Sequence, residues 1–518
     1  MESWIWSLFA YTPHAPMLFT RMSFWIFFGL VLLFTAAVFP NVFRRNIVLL
    51  LMSLFFYYKV GGWFVILLCI SVLLNYRVGI MMGIQKDARR RKLLFLLGLF
   101  LNLGLLVWLK YAVFLTGLFN SMTGMHLKSF DLLAWTVNGL VGSTFNVNEL
   151  LVPIGISFYT FQILSYLIEV YRGKTDAVTS LADFGAYITF FPNLISGPIV
   201  KASQFVPQIR KNIPITEEDF SLAALLIITG LVKKIVIADY ISANFVDRVF
   251  DNPLLFTGFE HLVAVYGYTL QIYCDFSGYT DIAIGIALLL GFRLPPNFDG
   301  PYKAHNIAEF WKKWHMSLTN WFLDYLFLPL AYFLSNHLPE RRYFRISTER
   351  MIYFTVTMVT FLLCGLWHGA AMNFVIWGGI HGMALVLHKF VFSKMAFFKQ
   401  KKRSIDILSR VITFHFIVFT WIIFKTRDTE TVMIIIKKIF LQFHPELALQ
   451  IIAGYRNIFL VILFGFILVW LPTKRTEPLT RRFLTSPVWF KFITAVLAIL
   501  FVYQFSVSAN QPFIYFQF

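Results

Sequence analysis

Charge is what this chain most lacks. Only 14% of its 518 residues are Asp, Glu, Lys or Arg, against roughly 25% in an ordinary soluble domain. That deficit excludes a water-exposed globular protein. Carboxylates are scarcer than cations, 26 against 45, and the formal charge is +19. In a soluble chain such a charge would indicate nucleic acid. Here Lys and Arg gather in short loops between apolar runs, the positive-inside pattern. The expected partner is therefore the lipid bilayer and not nucleic acid, with a few cations left to attract an anionic substrate. Cysteine is also nearly missing. Cys69, Cys274 and Cys364 lie in apolar runs without CxxC spacing, which excludes a disulfide framework and a cysteine metal site. The ~10-residue alternating strands of an outer-membrane barrel are absent too. The opening MESWIWSLFAYTPHAP has neither a basic leader nor a small-residue cleavage site, so a retained N-terminus is expected.

What fills the chain instead is hydrocarbon, with 58% of residues hydrophobic. Many runs approach or exceed the ~20 residues that cross a bilayer. The expected fold is an all-α polytopic membrane protein. Predicted spans cover about 23–41, 46–60, 63–84, 93–118, 150–170, 220–240, 260–290, 351–366, 371–391, 407–424, 456–472 and 488–508. That makes about 12 crossings, or 11 if one is re-entrant. Residues 1–11 read as an interfacial helix, 120–149 as a mixed loop, and 303–335 as helices buried on the cytosolic side. The run 184–200 is broken by Pro192, Gly197 and Pro198 and reads as re-entrant. Basic loops assigned to the cytosol put both termini outside and the turn at His368 away from the cytosolic hairpin ends. The halves show no internal repeat, which weakens a transporter reading.

Polar groups inside these runs are the candidates for chemistry, because their burial in hydrocarbon is costly. In 361–382, FLLCGLWHGAAMNFVIWGGIHG, two apolar runs meet at Trp367-His368-Gly369. His368 is either a core histidine bonded to a carbonyl or a reactive imidazole. Gly365 and Gly369 beside it permit close backbone approach, which suits a site that admits substrate. His381, 13 residues on, does not have zinc-ligand spacing. In 310–322, FWKKWHMSLTNWF, helical spacing places Trp311, His315 and Leu318 on one face, flanked by Lys312 and Lys313. This is a second buried histidine with cations for an acidic donor, or a Trp-rich interfacial helix with snorkelling lysines. In 273–285, YCDFSGYTDIAIG, Asp275 and Asp281 do not share a face, whereas Ser277, Asp281 and Gly285 do. One carboxylate could orient a histidine, and pairing with Arg or Lys is the alternative. PIGISFYTFQILSYLIEVYRG, with Gln162 and Glu169, and PPNFDGPY (295–302) read as architectural.

Taken together, PIGISFYTFQ, FFPNLISGPIVK, DFSGYTDIAIG, PPNFDGPY, FWKKWHMSLTNWF and GLWHGAAMNFVIWGGIHG, in order between about 150 and 392, resemble the membrane-bound O-acyltransferase (MBOAT) family. The similarity is to its bacterial branch of alginate O-acetylation proteins and teichoic-acid D-alanyl transferases. The resemblance implies one integral membrane domain over 1–518, with a ring of about 11–12 helices around a central funnel or tunnel, plus re-entrant and interfacial helices. It matches the family's histidine to His368 and its second, more variable polar position to His315. It implies an acyl thioester donor, acetyl-CoA or a carrier-protein thioester, a hydroxyl acceptor, and no bound cofactor or metal.

The tail, 509–518, contains Phe513-Ile514-Tyr515-Phe516-Gln517-Phe518, an F-x-Y-x-x-F ending. In the D-alanyl branch a small partner has a similar ending. The tail is thus an interfacial anchor or an acyl relay through Tyr515. The expected mechanism has His368 as general base, His315 orienting the donor, and Tyr515 as first acceptor. Trp367, Trp311, Lys312, Lys313, Asp281 and Ser277 are the expected substrate contacts. A periplasmic or surface acetyltransferase would complete transfer to a polysaccharide, from a protein in the bacterial inner membrane. D-alanyl transfer to a teichoic-acid-like polymer, a glycan or lipid-linked precursor transporter, and a non-catalytic scaffold are the alternatives.

Overall fold

Apolar runs without water must satisfy their own backbone hydrogen bonds, and helices do so within one segment. The computed structural model describes residues 10–12, 16–141, 147, 150, 152–339, 342–343, 346–398, 400, 402–426, 428–506 and 513. Among them the regular structure is helical apart from a ribbon that pairs Arg342–Tyr343 with Ile346–Ser347. Among the described residues seven helices are long and apolar enough to cross a membrane, and two sharply bent pairs raise that number to nine. The protein is a multi-pass membrane protein. The expected interfacial helix at 1–11 lies almost wholly outside the described residues.

Three predicted spans form helices that fall short of a full apolar crossing. Met22–Val38 has 17 residues and Ile156–Tyr171 has 16. Val42–Gly61 has 20 but carries Arg44, Arg45 and Lys59. Two others, 456–472 and 488–508, are the second arms of the bent pairs, which turn by 93° and 118°. The mixed loop expected at 120–149 contains a helix, Leu132–Val141.

The chain divides into two compact units, 1–213 and 214–518. In the first, Val42–Gly61 turns into Phe64–Ile84 at Gly62, the hairpin expected from Gly61-Gly62. Gly62 has φ +61°, and a β-carbon there would lie 2.8 Å from the Tyr11 ring. Every residue from 184 to 200 is buried, and the helix breaks between Leu181–Thr189 and Phe191–Leu194. Broken backbone enclosed by protein is what the sequence predicts here. Gln162 donates to the Tyr187 carbonyl at 2.7 Å, and Glu169 accepts from the Ser203 N–H at 2.8 Å. Both have the architectural role expected of them.

In the second unit, Glu217–Asp251 packs along the 32-residue helix Gly258–Leu289. Gly230 and Gly278 face each other's carbonyls, and a β-carbon on either would lie 2.7 Å from the opposite oxygen. Small residues at such a crossing supply the close packing that hydrophobicity cannot drive within lipid. Short helices Ile307–Lys313 and Met316–Phe322 follow, then the hairpin of Thr348–His368 and Met372–Phe390, then Arg403–Lys425. Leu323–Phe327 and Leu328–His337 bury none of their residues, unlike the earlier part of the predicted buried stretch 303–335.

Candidate functional site

His368 is the last residue of its helix, and the extended Gly369 ends that helix with φ −164°. The turn expected at Trp367-His368-Gly369 is thus present. The reason for its glycines differs from the expectation. A β-carbon on Gly365 would collide with the Phe374 carbonyl, and one on Gly378 with the Phe361 carbonyl. At Gly369 it would collide with the Phe374 ring. These glycines let the two hairpin helices touch, so the space goes to the partner helix and not to a substrate. Asn373 then ties the hairpin to the end of Arg403–Lys425 by donating to the Thr426 carbonyl at 2.9 Å.

The second segment is not one helix. Trp314 is extended and His315 is left-handed, φ 43° and ψ 54°, so Ile307–Lys313 and Met316–Phe322 are separate. The expected shared face of Trp311, His315 and Leu318 does not exist. The cause is distant in sequence. The Asn297 carbonyl accepts from the Met316 N–H at 2.9 Å, and its side-chain oxygen accepts from the Ser317 N–H at 3.2 Å. The Lys313 carbonyl accepts from the Asp299 N–H at 3.1 Å. Asn297 is itself fastened to Thr280 of the long helix. The loop PPNFDGPY therefore forces the break and satisfies the backbone groups that the break exposes. Histidine tolerates left-handed backbone better than bulky or branched residues do.

The break points His315 away from its own helix. Its ring lies 4.6 Å from Phe276 and 5.9 Å from Trp367, between ring centres. Trp367 is in turn 5.1 Å from the His368 ring. Both candidate histidines thus lie against one indole. His368 also meets Trp377 at 5.3 Å and Phe424 at 5.2 Å. Both histidines are buried. Burial disfavours the imidazolium and pushes His315 down to about 3.

A third histidine, His381, belongs to the same cluster. The Trp311 indole N–H donates to His381 Nδ1 at 3.3 Å, and His381 Nε2 lies 3.1 Å from the Thr420 hydroxyl. Thr420 donates onward to the Ile417 carbonyl at 2.8 Å. The donors line up in one direction, so His381 is a neutral imidazole with its proton on Nε2. It anchors Trp311, and Trp377 packs 4.5 Å from it. Zinc spacing is the wrong test for this residue. The 13-residue gap conceals a contact made through tryptophans.

The carboxylates have ionic partners. Lys233 meets Asp281 at 2.6 Å, while Lys234 meets Asp239 and Asp275 at 2.7 Å each. Of the two open readings, pairing with lysine is the one the structure displays. Ser277 is buried one turn from Asp281. Lys313 pairs with Glu309 at 3.0 Å, and Lys312 is exposed. Tyr515 lies outside the described residues, but Phe513 is buried 5.6 Å from Phe276, the ring that also contacts His315. Among the described residues no group of three or more His, Cys, Asp or Glu is arranged to hold a metal ion.

Comparison with known proteins places the chain in a family. The pattern of the membrane-bound O-acyltransferase family matches residues 175–425. The chain is 37% identical over 393 residues to a Pseudomonas syringae pv. tomato protein named probable alginate O-acetylase, covering 74% of this chain and 68% of that one. It is 32% identical over 418 residues to the peptidoglycan O-acetyltransferase of Helicobacter pylori, covering 75% and 72%. With the teichoic acid D-alanyltransferase of Bacillus subtilis it shares 31% over 284 residues, 52% of this chain and 68% of the other.

Proposed function

This chain belongs to the membrane-bound O-acyltransferase family of enzymes, and we propose that it transfers an acetyl group from a cytosolic thioester to an extracytoplasmic polysaccharide. The observation that carries this reading is the pair His368 and His315 against Trp367, with tail residue Phe513 packed on the ring next to His315. A polysaccharide acceptor is favoured by the likeness to the alginate and peptidoglycan acetylases. D-alanyl transfer is the second reading, supported by the teichoic acid relative.

In the proposed reaction His368 is the general base. A neutral imidazole takes the proton of the attacking hydroxyl as its oxygen bonds to the acyl carbon. The carbon–sulfur bond then breaks, and the proton passes to the departing thiolate. His315, held neutral by burial, orients the donor beside Trp367. Lys312 and Lys313 attract an acidic donor such as coenzyme A or a carrier protein. Asp281, paired with Lys233, braces the helix that presents Ser277. The first hydroxyl is that of Tyr515, two residues beyond Phe513 in the sequence. A periplasmic or surface transferase then moves the acyl group from the tyrosyl ester to a sugar hydroxyl and regenerates the phenol.

The test is incubation of the purified protein with labelled acetyl-CoA, followed by mass spectrometry of the tail peptide. A label on Tyr515 that His368→Ala removes is the expected result. Tyr515→Phe keeps the ring and should abolish both label and polymer acetylation. Wild-type acetylation by that variant would reduce the tail to an anchor.

A further inference from the structure

A cavity lies outside the histidine cluster. It occupies about 1010 Å³ between the ends of Met372–Lys394 and Arg403–Lys425, floored by residues 305–307. Its walls are largely apolar and include Ile307, Leu387, Ile412 and Phe416, while Lys402 and Arg403 stand at one end. Leu387 is 42% exposed and Ile412 is 51% exposed. On helices of membrane-crossing length, such residues face hydrocarbon, so the cavity opens sideways into the bilayer.

Charge distinguishes the two ends of this groove. Its one lining carboxylate, Asp406, is already engaged. His305 Nδ1 donates to it at 2.5 Å, and Arg410 Nε lies 3.4 Å from its other oxygen. Arg410 also donates to His305 Nε2 at 3.0 Å, which closes that network on itself. Among the described residues Lys402 and Arg403 have no ion pair, and both are exposed. A groove with a lipid-facing apolar wall and two uncompensated cations at one end matches an amphiphile with an anionic head.

We infer that this groove binds an anionic phospholipid. Its phosphate rests on Lys402 and Arg403, and an acyl chain lies along Leu387, Ile412 and Phe416. Basic pockets between membrane helices recognise headgroups in this way. A water-soluble thioester fits less well, because its adenine nucleotide or carrier protein would have to enter from the hydrocarbon side. The inner wall gives occupancy a consequence. Phe416 packs 5.5 Å from His381, which anchors Trp311. A seated acyl chain would brace the wall behind that tryptophan.

The experiment is native mass spectrometry of the full chain in detergent, offered phosphatidylglycerol or phosphatidylcholine. Wild type should retain phosphatidylglycerol preferentially, by roughly tenfold or more for two basic contacts. Combined Lys402→Gln and Arg403→Gln should erase that preference. Ser409→Trp fills the groove without touching the cations and should reduce retention of both lipids. Circular dichroism confirms that each variant is folded. Equal retention of the two lipids by wild type, undiminished preference in the double variant, or wild-type retention by Ser409→Trp would overturn the site. Displacement of phosphatidylglycerol by excess acetyl-CoA would also overturn it and reassign the groove to the donor.

Discussion

The carboxylates along Gly258–Leu289 are met by lysines, whereas the histidines of the tryptophan cluster are met by rings and by neutral hydrogen bonds. Asp275 and Asp281 belong to ion pairs of 2.7 and 2.6 Å with Lys234 and Lys233. Those pairs join the two longest helices of their unit. His368 and His315 lie against indole and phenyl rings. The difference separates two uses of polarity in hydrocarbon. A compensated charge pair fixes structure and is costly to break. A neutral imidazole has no net charge to be compensated and can still take up or release a proton.

Substitutions at four positions probe that contrast, in order of expected effect. His368→Ala should reduce acyl transfer by about 10²–10⁴-fold, the usual contribution of a general base, while thermal melting stays near wild type. The reverse pattern, intact turnover per folded molecule with a lowered Tm, would class His368 with the scaffold. Lys234→Met leaves Asp239 and Asp275 without their shared cation and should destabilise the fold by about 3–5 kcal/mol. Measured in detergent, its specific activity should survive. If activity falls without any loss of stability, the ion pairs take part in the chemistry.

His315 combines both themes. His315→Ala loses the imidazole and places a residue poorly suited to left-handed backbone at φ 43°, costing roughly 1–2 kcal/mol. His315→Asn tolerates that backbone and isolates the loss of the ring. The asparagine variant should therefore be the more stable of the two, with turnover lowered in both. There is a pH signature as well. The folded pKa is pushed down to about 3 from an unfolded value of 6.5. The unfolded chain binds the extra proton between those values, so this stability is complete above pH 6.5 and is lost as pH falls toward 3. His315→Asn should flatten that acid limb of the melting profile. The smallest effect on turnover belongs to Thr420→Val, which removes the hydrogen-bond partner of His381 Nε2. It should cost about 1–3 kcal/mol with modest change in turnover. A loss as large as that of His368→Ala would move His381 from anchor to reactant.

The hairpin at 361–382 and the long apolar helices are legible in the sequence because continuous hydrophobicity and basic flanks directly report helices in lipid. The broken, buried stretch at 184–200 is legible for a similar local reason, since proline and glycine interrupt an apolar run. The break at Trp314-His315 is not. FWKKWHMSLTNWF has unbroken helical periodicity, and the bonds that interrupt it come from Asn297, about twenty residues away in sequence. Asn297 has one local signal, its place in a Pro/Gly-rich loop, which suggests structure but no destination. The role of Gly365 and Gly369 is equally hidden. Glycine reports that something approaches closely, and only the fold says that it is Phe374. Asp281 could be read as scaffold or chemistry until Lys233 appears beside it.

The crossing at Gly365 and Gly378 also sets a mechanical limit. It acts as a pivot, and His368 lies three residues beyond it, a lever arm of about 4.5 Å at the helical rise. A swing of ~10° about that pivot would carry the end of the helix by under about 1 Å. A misplacement of about 1 Å can cost reaction rate, and such a swing stays below it. The short arm therefore makes the position of the imidazole insensitive to bending farther along either helix. Motions that admit or release substrate can occur elsewhere in the hairpin without detuning His368.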